Sequence, residues 1–594
     1  MSNAKKSKRR IAIAAIGMLA IVGVFVGKLV DIQVVQAQEL NEESLNKRSI
    51  SSTTYGVRGD IVDTNGVVLA DSVERYDITA SPVIALGKPT KRIVTPATAT
   101  EKAVIEVYTL DQQLADLAEA TGEKESALRA AIMAKPESDF AYLSKKAPLA
   151  ILLAVQALKI PWVYSERHPD RTYPNGAVAG NLVGFIGTDG PQAGLELTED
   201  ACIGSTNGSS TYERGADGVR LPESTVTTKA ATDGGTLKLT IDNDLQWYVQ
   251  EQIAARAEEI GADWATAVVV RVKDGHLLAV ADYPSVDPNN VNGVDETSLG
   301  SLAFSTPYEP GSTFKPMTAA MLFDEGKATQ TTEITVPGRL AVGGTSIGDV
   351  WAHGDIRFTT AGILTNSSNV GISLLSDRLK KSDRYDYLRK FGIGEKTAVG
   401  FNGESDGSLR DPSVTKWDDV TNYAISFGQG VTATSVQVAG IYQTLGNGGV
   451  RMPLTLVEGC EHADGTVTEV TEAKGSRVVS KKAADDTVEI LENVVSQGGL
   501  ADSVQIDGYR IAAKTGTAQV AENGRYGDER IVSVAGMFPA EDPEFAVVVT
   551  MGKPDIMKTS AGAAPAFRKI LTQLIKTYRV TPSTKKAPEI PLNW

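Results

Sequence analysis

Residues 5–10 read Lys-Lys-Ser-Lys-Arg-Arg, and Ile11 to Gly27 then runs for seventeen residues without a charge. With Leu29 and Val30 the run reaches about twenty positions, or roughly 30 Å as a helix, enough to cross a bilayer. Such a segment leaves a soluble core little choice but to begin after it. The cationic flank predicts an N-terminus in the cytoplasm and the rest of the chain outside it. A cleaved signal is the competing reading. Its small-residue site at Val35-Gln36-Ala37 lies too far beyond the apolar run. The expected organisation is a tail (1–10), an anchor (11–30), an extracytoplasmic region and a short C-terminal segment.

The chain has 594 residues, too many for one core. Lys+Arg is 59 against 73 Asp+Glu, a net charge of −14, and five cations crowd into the first ten residues. The remainder is more acidic still, which excludes a nucleic-acid binder. Four separated histidines (His168, His276, His353, His462) and two cysteines exclude common zinc modules, and no P-loop occurs. Neither a metal nor a cofactor is expected. An extracytoplasmic location permits disulfides, but the sequence leaves open whether Cys202 and Cys460 pair.

Residues 58–83 alternate around the turn signal Asp63-Thr64-Asn65-Gly66. Residues 84–99 read as a loop, Glu101 to Leu158 as mostly helical, and Gly204 to Ser210 as an exposed loop. Texture changes at Thr236. A strand, a helix (Asp244 to Ile260) and a hairpin follow, and strands return at Tyr509 to Ala513, Ile531 to Met537 and Phe545 to Met551. Strands at both ends with helices between predict an α+β domain whose sheet joins distant segments. The predicted boundaries are 31–235, 236–580 and 581–594.

Three short patterns carry the chemistry. Ser312-Thr313-Phe314-Lys315 opens a helix behind Pro310-Gly311, placing Lys315 one turn from Ser312. A desolvated lysine beside a serine hydroxyl acts as its base. Five S-x-x-K matches occur, at Ser2, Ser44, Ser312, Ser413 and Ser583, and only Ser312 opens a buried-looking helix. Ser367-Ser368-Asn369 follows 55 residues on, and Lys514-Thr515-Gly516-Thr517 a further 147 beyond Ser367, at the end of an expected strand. There Gly516 frees space for a substrate backbone, and the strand edge suits an extended peptide. Gly344-Thr345-Ser346-Ile347-Gly348 matches a nucleophile elbow, but its flanks supply neither the strand nor the helix an elbow needs. His353 nearby reads as structural.

The order S-x-x-K, S-x-N, K-T-G resembles the signature of acyl-serine enzymes that bind penicillin. The chain is similar to class B, monofunctional penicillin-binding proteins of the division-specific (FtsI) type. Arg58-Gly59-Asp60-Ile61-Val62-Asp63, Arg171-Thr172-Tyr173-Pro174, Gly184-Phe185-Ile186-Gly187 and Gly194-Leu195-Glu196 resemble that family's pedestal motifs. Gly428-Gln429-Gly430 and Asn447-Gly448-Gly449 fit its catalytic domain.

The resemblance implies a transmembrane anchor, an elongated mixed pedestal of the dimerisation type, and a transpeptidase domain of helices around an antiparallel sheet, serine β-lactamase-like. It implies a D,D-transpeptidase that cross-links peptidoglycan stem peptides and is acylated by β-lactams. Ser312 would be the nucleophile, Lys315 its base, Ser367 a proton relay, and Asn369 the holder of Lys315. Lys514 would belong to the catalytic set and, with Ser368, Thr515, Gly516 and Thr517, would also bind substrate. The implied partners are a membrane glycosyltransferase of the shape, elongation and division type and other divisome proteins. The alternatives are an elongation-type transpeptidase, a carboxypeptidase or β-lactamase-like hydrolase, and a non-catalytic assembly subunit.

Overall fold

A computed structural model describes residues 3–39, 49–87, 89–95, 104–213, 223–470, 474–522 and 525–594. Helix α1 spans Asn3–Val30, and its apolar side chains are exposed along its length. It is long and apolar enough to cross a membrane and fits a single-pass anchor.

The chain forms two compact units that do not follow it linearly. The first combines Met1–Val57, Val73–Asp170 and Ser205–Asp233. Its core gathers Ile78, Leu114, Leu117, Leu128, Ile132 and Trp162 around a three-stranded sheet with Tyr76–Ala80 at its centre. The Trp162 indole donates to Gln113 Oε1 at 2.6 Å, giving the buried ring its polar partner. The mostly helical expectation for 101–158 is met by Leu110–Thr121, Glu125–Met133 and Leu149–Ala157, but Val104–Tyr108 and Ala141–Ala147 are strands that it did not include. The alternation Ala141, Leu143, Ala147 hid inside an Ala-rich run. The 84–99 loop likewise contains the strand Thr90–Thr95, and Gly208–Glu213 pairs with Ser49–Thr54 where a loop was expected.

The second unit takes Gly234–Trp594 together with Arg58–Ser72 and Arg171–Gly204. Those two early pieces hold the pedestal motifs, and the motifs converge on one buried carboxylate. Glu196 is fully buried and accepts from Arg58 Nε at 2.6 Å and Arg171 Nε at 2.7 Å. Its burial is tolerable only because both guanidiniums reach it. Gly59 is required beside Arg58, since a Cβ there would lie 1.9 Å from Gly235 O. Ile61–Val62 adds in parallel to Thr236–Leu239, which pairs antiparallel with Val457–Glu461. Cys202 and Cys460 are disulfide-bonded, tying the early segment to that sheet. This settles the pairing that the sequence left open.

The main sheet of the second unit is antiparallel and five-stranded. Helix α2 (Asn243–Ile260) precedes its hairpin of β1 (Trp264–Arg271) and β2 (Leu277–Tyr283). Asp242 caps α2 by accepting from Leu245 N, and Gly261, at φ +65°, ends it. The later helices that bear on the site are α3 (Lys315–Asp324), α4 (Thr360–Thr365), α5 (Asn369–Ser376), α6 (Ser435–Gly446) and α7 (Lys481–Ser496). Strands β3 (Ala512–Glu522), β4 (Arg525–Phe538) and β5 (Phe545–Gly552) complete the sheet, and α8 (Ala564–Tyr578) follows. The sheet order is β2-β1-β5-β4-β3. Every residue of β5 is buried, so helices cover both faces of the sheet centre. Strand β3 is left at an edge.

Strand β3 corrects one expectation. Lys514 to Thr517 lie inside the strand, paired with Ala535, Val534, Ser533 and Val532 of β4, and not at its end. The elbow-like Gly344 to Gly348 is a hairpin, Arg339–Val342 against Thr345–Gly348, with Ser346 Oγ accepting from Arg339 Nε.

Candidate active site

Ser312 stands on a tight turn, Gly311–Phe314, that runs straight into α3. Lys315 is therefore the first residue of α3 and not one turn inside it. The turn is seated by close backbone approaches. Gly311 N donates to Gly428 O at 2.9 Å, and a Cβ on Gly428 would lie 2.2 Å from Gly311 O. Tyr442 OH, from α6, donates to Thr313 O at 2.9 Å. On the strand side, a Cβ on Gly516 would meet Ser533 Oγ at 2.4 Å and Pro310 O at 2.9 Å. Gly516 is thus glycine because the Ser312 turn packs on the strand there, a local reason ahead of any substrate contact.

Ser367 follows α4 with φ +56°, a conformation a serine rarely adopts. The strain aims it at both lysines. Ser367 Oγ donates to Ser312 Oγ at 3.0 Å, and Lys514 Nζ donates to Ser367 Oγ at 2.9 Å. Lys315 Nζ lies 3.1 Å from Ser312 Oγ, 3.2 Å from Ser367 Oγ, 2.5 Å from Ser367 O and 2.7 Å from Asn369 Oδ1. The carbonyl and amide oxygens only accept. They take the two N–H groups of a neutral amine, and its lone pair is left for a hydroxyl proton.

Both lysines are fully buried. Burial pushes the Lys315 ammonium well below its usual range, the Lys514 cation pushes it further, and Asp349 opposes. Burial brings Lys514 down to about 7. Two cations in one dry cleft cannot both be held cheaply, so Lys315 is the group that sheds its proton. Thr515 is half-buried and Thr517 exposed, and Lys514 Nζ reaches to 3.5 Å from Thr515 Oγ1.

Ser368 needs correction as a substrate-binding residue. It is fully buried, its hydroxyl donates to Asp349 Oδ2 at 2.6 Å, and it accepts from Gly371 N at 2.8 Å. It caps α5 and has no atom left for a substrate. Asp349 is the residue that sequence reasoning missed. Its side chain is fully buried, and Oδ1 accepts from Asn369 N at 2.5 Å and Val370 N at 3.0 Å. His353 Nε2 lies 3.0 Å from Oδ2, which gives His353 its structural place. Nothing in the spacing points to Asp349, since 19 residues separate it from Ser368.

These elements match known families. Residues 265–572 match the penicillin binding protein transpeptidase domain, and residues 53–239 the penicillin-binding protein dimerisation domain. The penicillin-binding protein PbpB of Mycolicibacterium smegmatis is 33% identical over 98% of this chain and 91% of its own length. The peptidoglycan D,D-transpeptidase FtsI of Escherichia coli is 32% identical over 77% of this chain and 75% of its own. Penicillin-binding protein 3 of Mycobacterium tuberculosis, solved with ampicillin, superposes with a TM-score of 0.69. It has 28% identity and covers 91% of this chain and all of that one. Fold and site thus define an acyl-serine transpeptidase domain behind a dimerisation-type domain. The chain belongs to the class B penicillin-binding proteins, in the group that includes FtsI and PbpB.

Proposed function

We propose that the chain is a peptidoglycan D,D-transpeptidase acting through an acyl-enzyme on Ser312, in septal wall synthesis. The observation that carries this is the closed cluster of Ser312 Oγ, Lys315 Nζ, Ser367 Oγ and Lys514 Nζ, linked by contacts of 2.9–3.2 Å. Neutral Lys315 takes the Ser312 proton as Oγ attacks the penultimate D-Ala carbonyl of a stem peptide. The C–N bond to the terminal D-Ala breaks, and Ser367 passes a proton to the leaving amine. Asn369 keeps Lys315 turned toward the hydroxyls. Backbone N–H groups of Ser312 and Thr517 face the oxyanion, each such donor worth about 3 kcal/mol. Lys514, Thr515 and Thr517 hold the substrate carboxylate. A neighbouring stem-peptide amine then displaces Ser312 and forms the cross-link, and a β-lactam in the donor's place leaves a long-lived acyl-enzyme.

The division assignment rests on likeness to FtsI and PbpB. In this reading α1 spans the membrane with residues 1–10 in the cytoplasm, the chain after α1 works outside it, and the partners are a membrane glycosyltransferase and further division proteins.

The test is fluorescent penicillin on the full chain, intact and as Ser312→Ala, followed by denaturing electrophoresis and intact mass. A stable adduct on the parent and none on the variant is expected. Rapid turnover of the adduct would favour a hydrolase. No adduct on folded parent would overturn the acyl-serine reading.

A further inference from the structure

Ser367 depends on a six-residue helix, α4, too short to hold its own position. Ala361, Ile363 and Leu364 are buried and Thr360 N and Ala361 N bond to Thr332 O and Gln330 O, and a further hold on α4 comes from the far end of the sequence. Thr359 caps it by accepting from Gly362 N at 3.0 Å, and the same hydroxyl donates to Pro591 O at 2.6 Å. Thr359 N donates to Leu592 O at 3.0 Å. Phe358 and Asn593 form an antiparallel bridge, and the Arg357 guanidinium lies over the Trp594 ring. Gly362 is glycine for this contact, since a Cβ would lie 1.9 Å from Leu592 O.

The same stretch is fixed along its length. Asn493, on α7, donates to Pro588 O at 2.9 Å and accepts from Ile590 N at 3.0 Å, and Ile590 is buried. Further back, Ser583 N donates to Gly508 O, Arg510 N to Ser583 Oγ, and Tyr509 OH to Val580 O. Residues 508–510 lead into β3, which carries Lys514. Residues 580–594 thus touch the chain four residues before Lys514 and five residues before the Ser367-Ser368 pair. Pro588 and Pro591 restrict the segment's backbone, which lowers the entropy lost in laying it down.

We propose that residues 588–594 are a strap that positions Ser367 for acyl transfer, acting through Thr359 and Gly362 on α4. Pulling the strap away frees the cap hydroxyl and lets α4 turn. Its C-terminal end carries Ser367 O, the acceptor 2.5 Å from Lys315 Nζ, and Ser367 Oγ, 2.9 Å from Lys514 Nζ. A small rotation there misaligns both lysines with Ser312, and such misplacement costs rate far more than stability. The inference rests on the acyl-serine reading above, and its test separates the two.

The experiment compares the full chain with a version lacking residues 588–594, with Gly362→Ala, and with both changes. It measures the second-order rate of acylation by fluorescent penicillin, the Tm, and amide hydrogen exchange at residues 360–368. Expected are a rate loss of about tenfold or more in the shortened chain at a temperature where it is fully folded, and faster exchange at Ser367 and Ser368. Adding a peptide of residues 586–594 should restore part of the rate. Gly362→Ala should slow the full chain comparably and cost little further in the shortened one, where only the Phe358 ring, 2.9 Å from the new Cβ, has to shift. Parental acylation in the folded, shortened chain would overturn the strap. So would rate losses that add, or exchange that does not change. A parent that takes no penicillin defeats the acyl-serine reading instead, and the exchange result still decides whether the strap holds Ser367.

Discussion

Ser312 stands on a turn supported by glycines packed backbone to backbone, Gly311 on Gly428 and Pro310 on Gly516. Ser367, 3.0 Å away, stands on a turn supported by polar contacts from remote segments, Asp349 beneath it and residues 588–594 behind α4. The first support is steric and rigid. The second has one such approach, Gly362 on Leu592 O, and is otherwise built of hydrogen bonds, each worth about 1 kcal/mol net, or about 1.5–3 kcal/mol where the Asp349 carboxylate accepts. Ser312 is therefore fixed mainly by shape, and Ser367 is placed by charge and by reach. A lesion in the first should collapse the site, whereas a lesion in the second should slow it in a graded way.

The steepest break of that contrast is Gly428→Ala. Its φ is +78°, and the new Cβ would overlap Gly311 O, so Ser312 must shift. Acylation by penicillin should fall at least a hundredfold, with about 1–3 kcal/mol lost from stability as read by thermal unfolding. A variant acylated at the parental rate would show that the Ser312 turn is not held by this contact.

Asp349→Asn probes the other side and should be milder. Asparagine keeps the shape but turns one acceptor into a donor, facing a hydroxyl and an imidazole. About a tenfold loss of acylation rate is expected. A second readout marks the electrostatic part. Asp349 raises the Lys315 pKa, so its neutralisation should move the acid limb of the rate profile to lower pH. A rate loss without that movement would leave Asp349 with a mechanical role alone.

The same contrast explains what was legible in the sequence. That Ser312, both lysines and Ser367 come together could be read, because each motif is local and its chemistry needs particular residue types at fixed spacing. The α+β class and the long N-terminal apolar helix could be read from periodicity and from one charge-free run. Strands inside the stretch 101–158 could not, since short alternations in an Ala-rich run look helical. Asp349 and the 588–594 strap were invisible for a different reason. Their partners lie 19 and more than 200 residues away, and no local pattern records such a contact. Ser368 was misread because a serine between two site residues looks like a third, whereas it faces into the protein and caps a helix.

The two lysines sharpen the comparison through pH. The rate of acylation should rise as Lys315 loses its proton at a depressed pKa and fall as Lys514 becomes neutral near 7. The pair titrates as a unit, so the profile gives two apparent values. Lys514→Arg keeps a cation at all accessible pH. Its alkaline limb should therefore move up by more than one pH unit, while its acid limb stays, because Lys514 is already charged there in the parent. An unmoved alkaline limb would remove Lys514 from the set of groups that must be charged.

The disulfide offers the smallest expected effect on the site and so the cleanest control. Cys202 and Cys460 close a loop of 258 residues, joining the segment that carries Glu196 to the sheet built on Thr236–Leu239. Cross-linking so long a loop restrains the unfolded chain more than the folded one, and about 2–4 kcal/mol of stability is the usual yield. Neither cysteine approaches Ser312, Ser367 or either lysine through any contact described above. A Cys202→Ser, Cys460→Ser variant should lose Tm while its acylation rate, measured well below that Tm, stays within about twofold of the parent. A tenfold slower variant would mean that the site leans on the Glu196 region as well as on its own two turns. The division between a shape-fixed Ser312 and a reach-tuned Ser367 would then be too local a description of what holds this cleft.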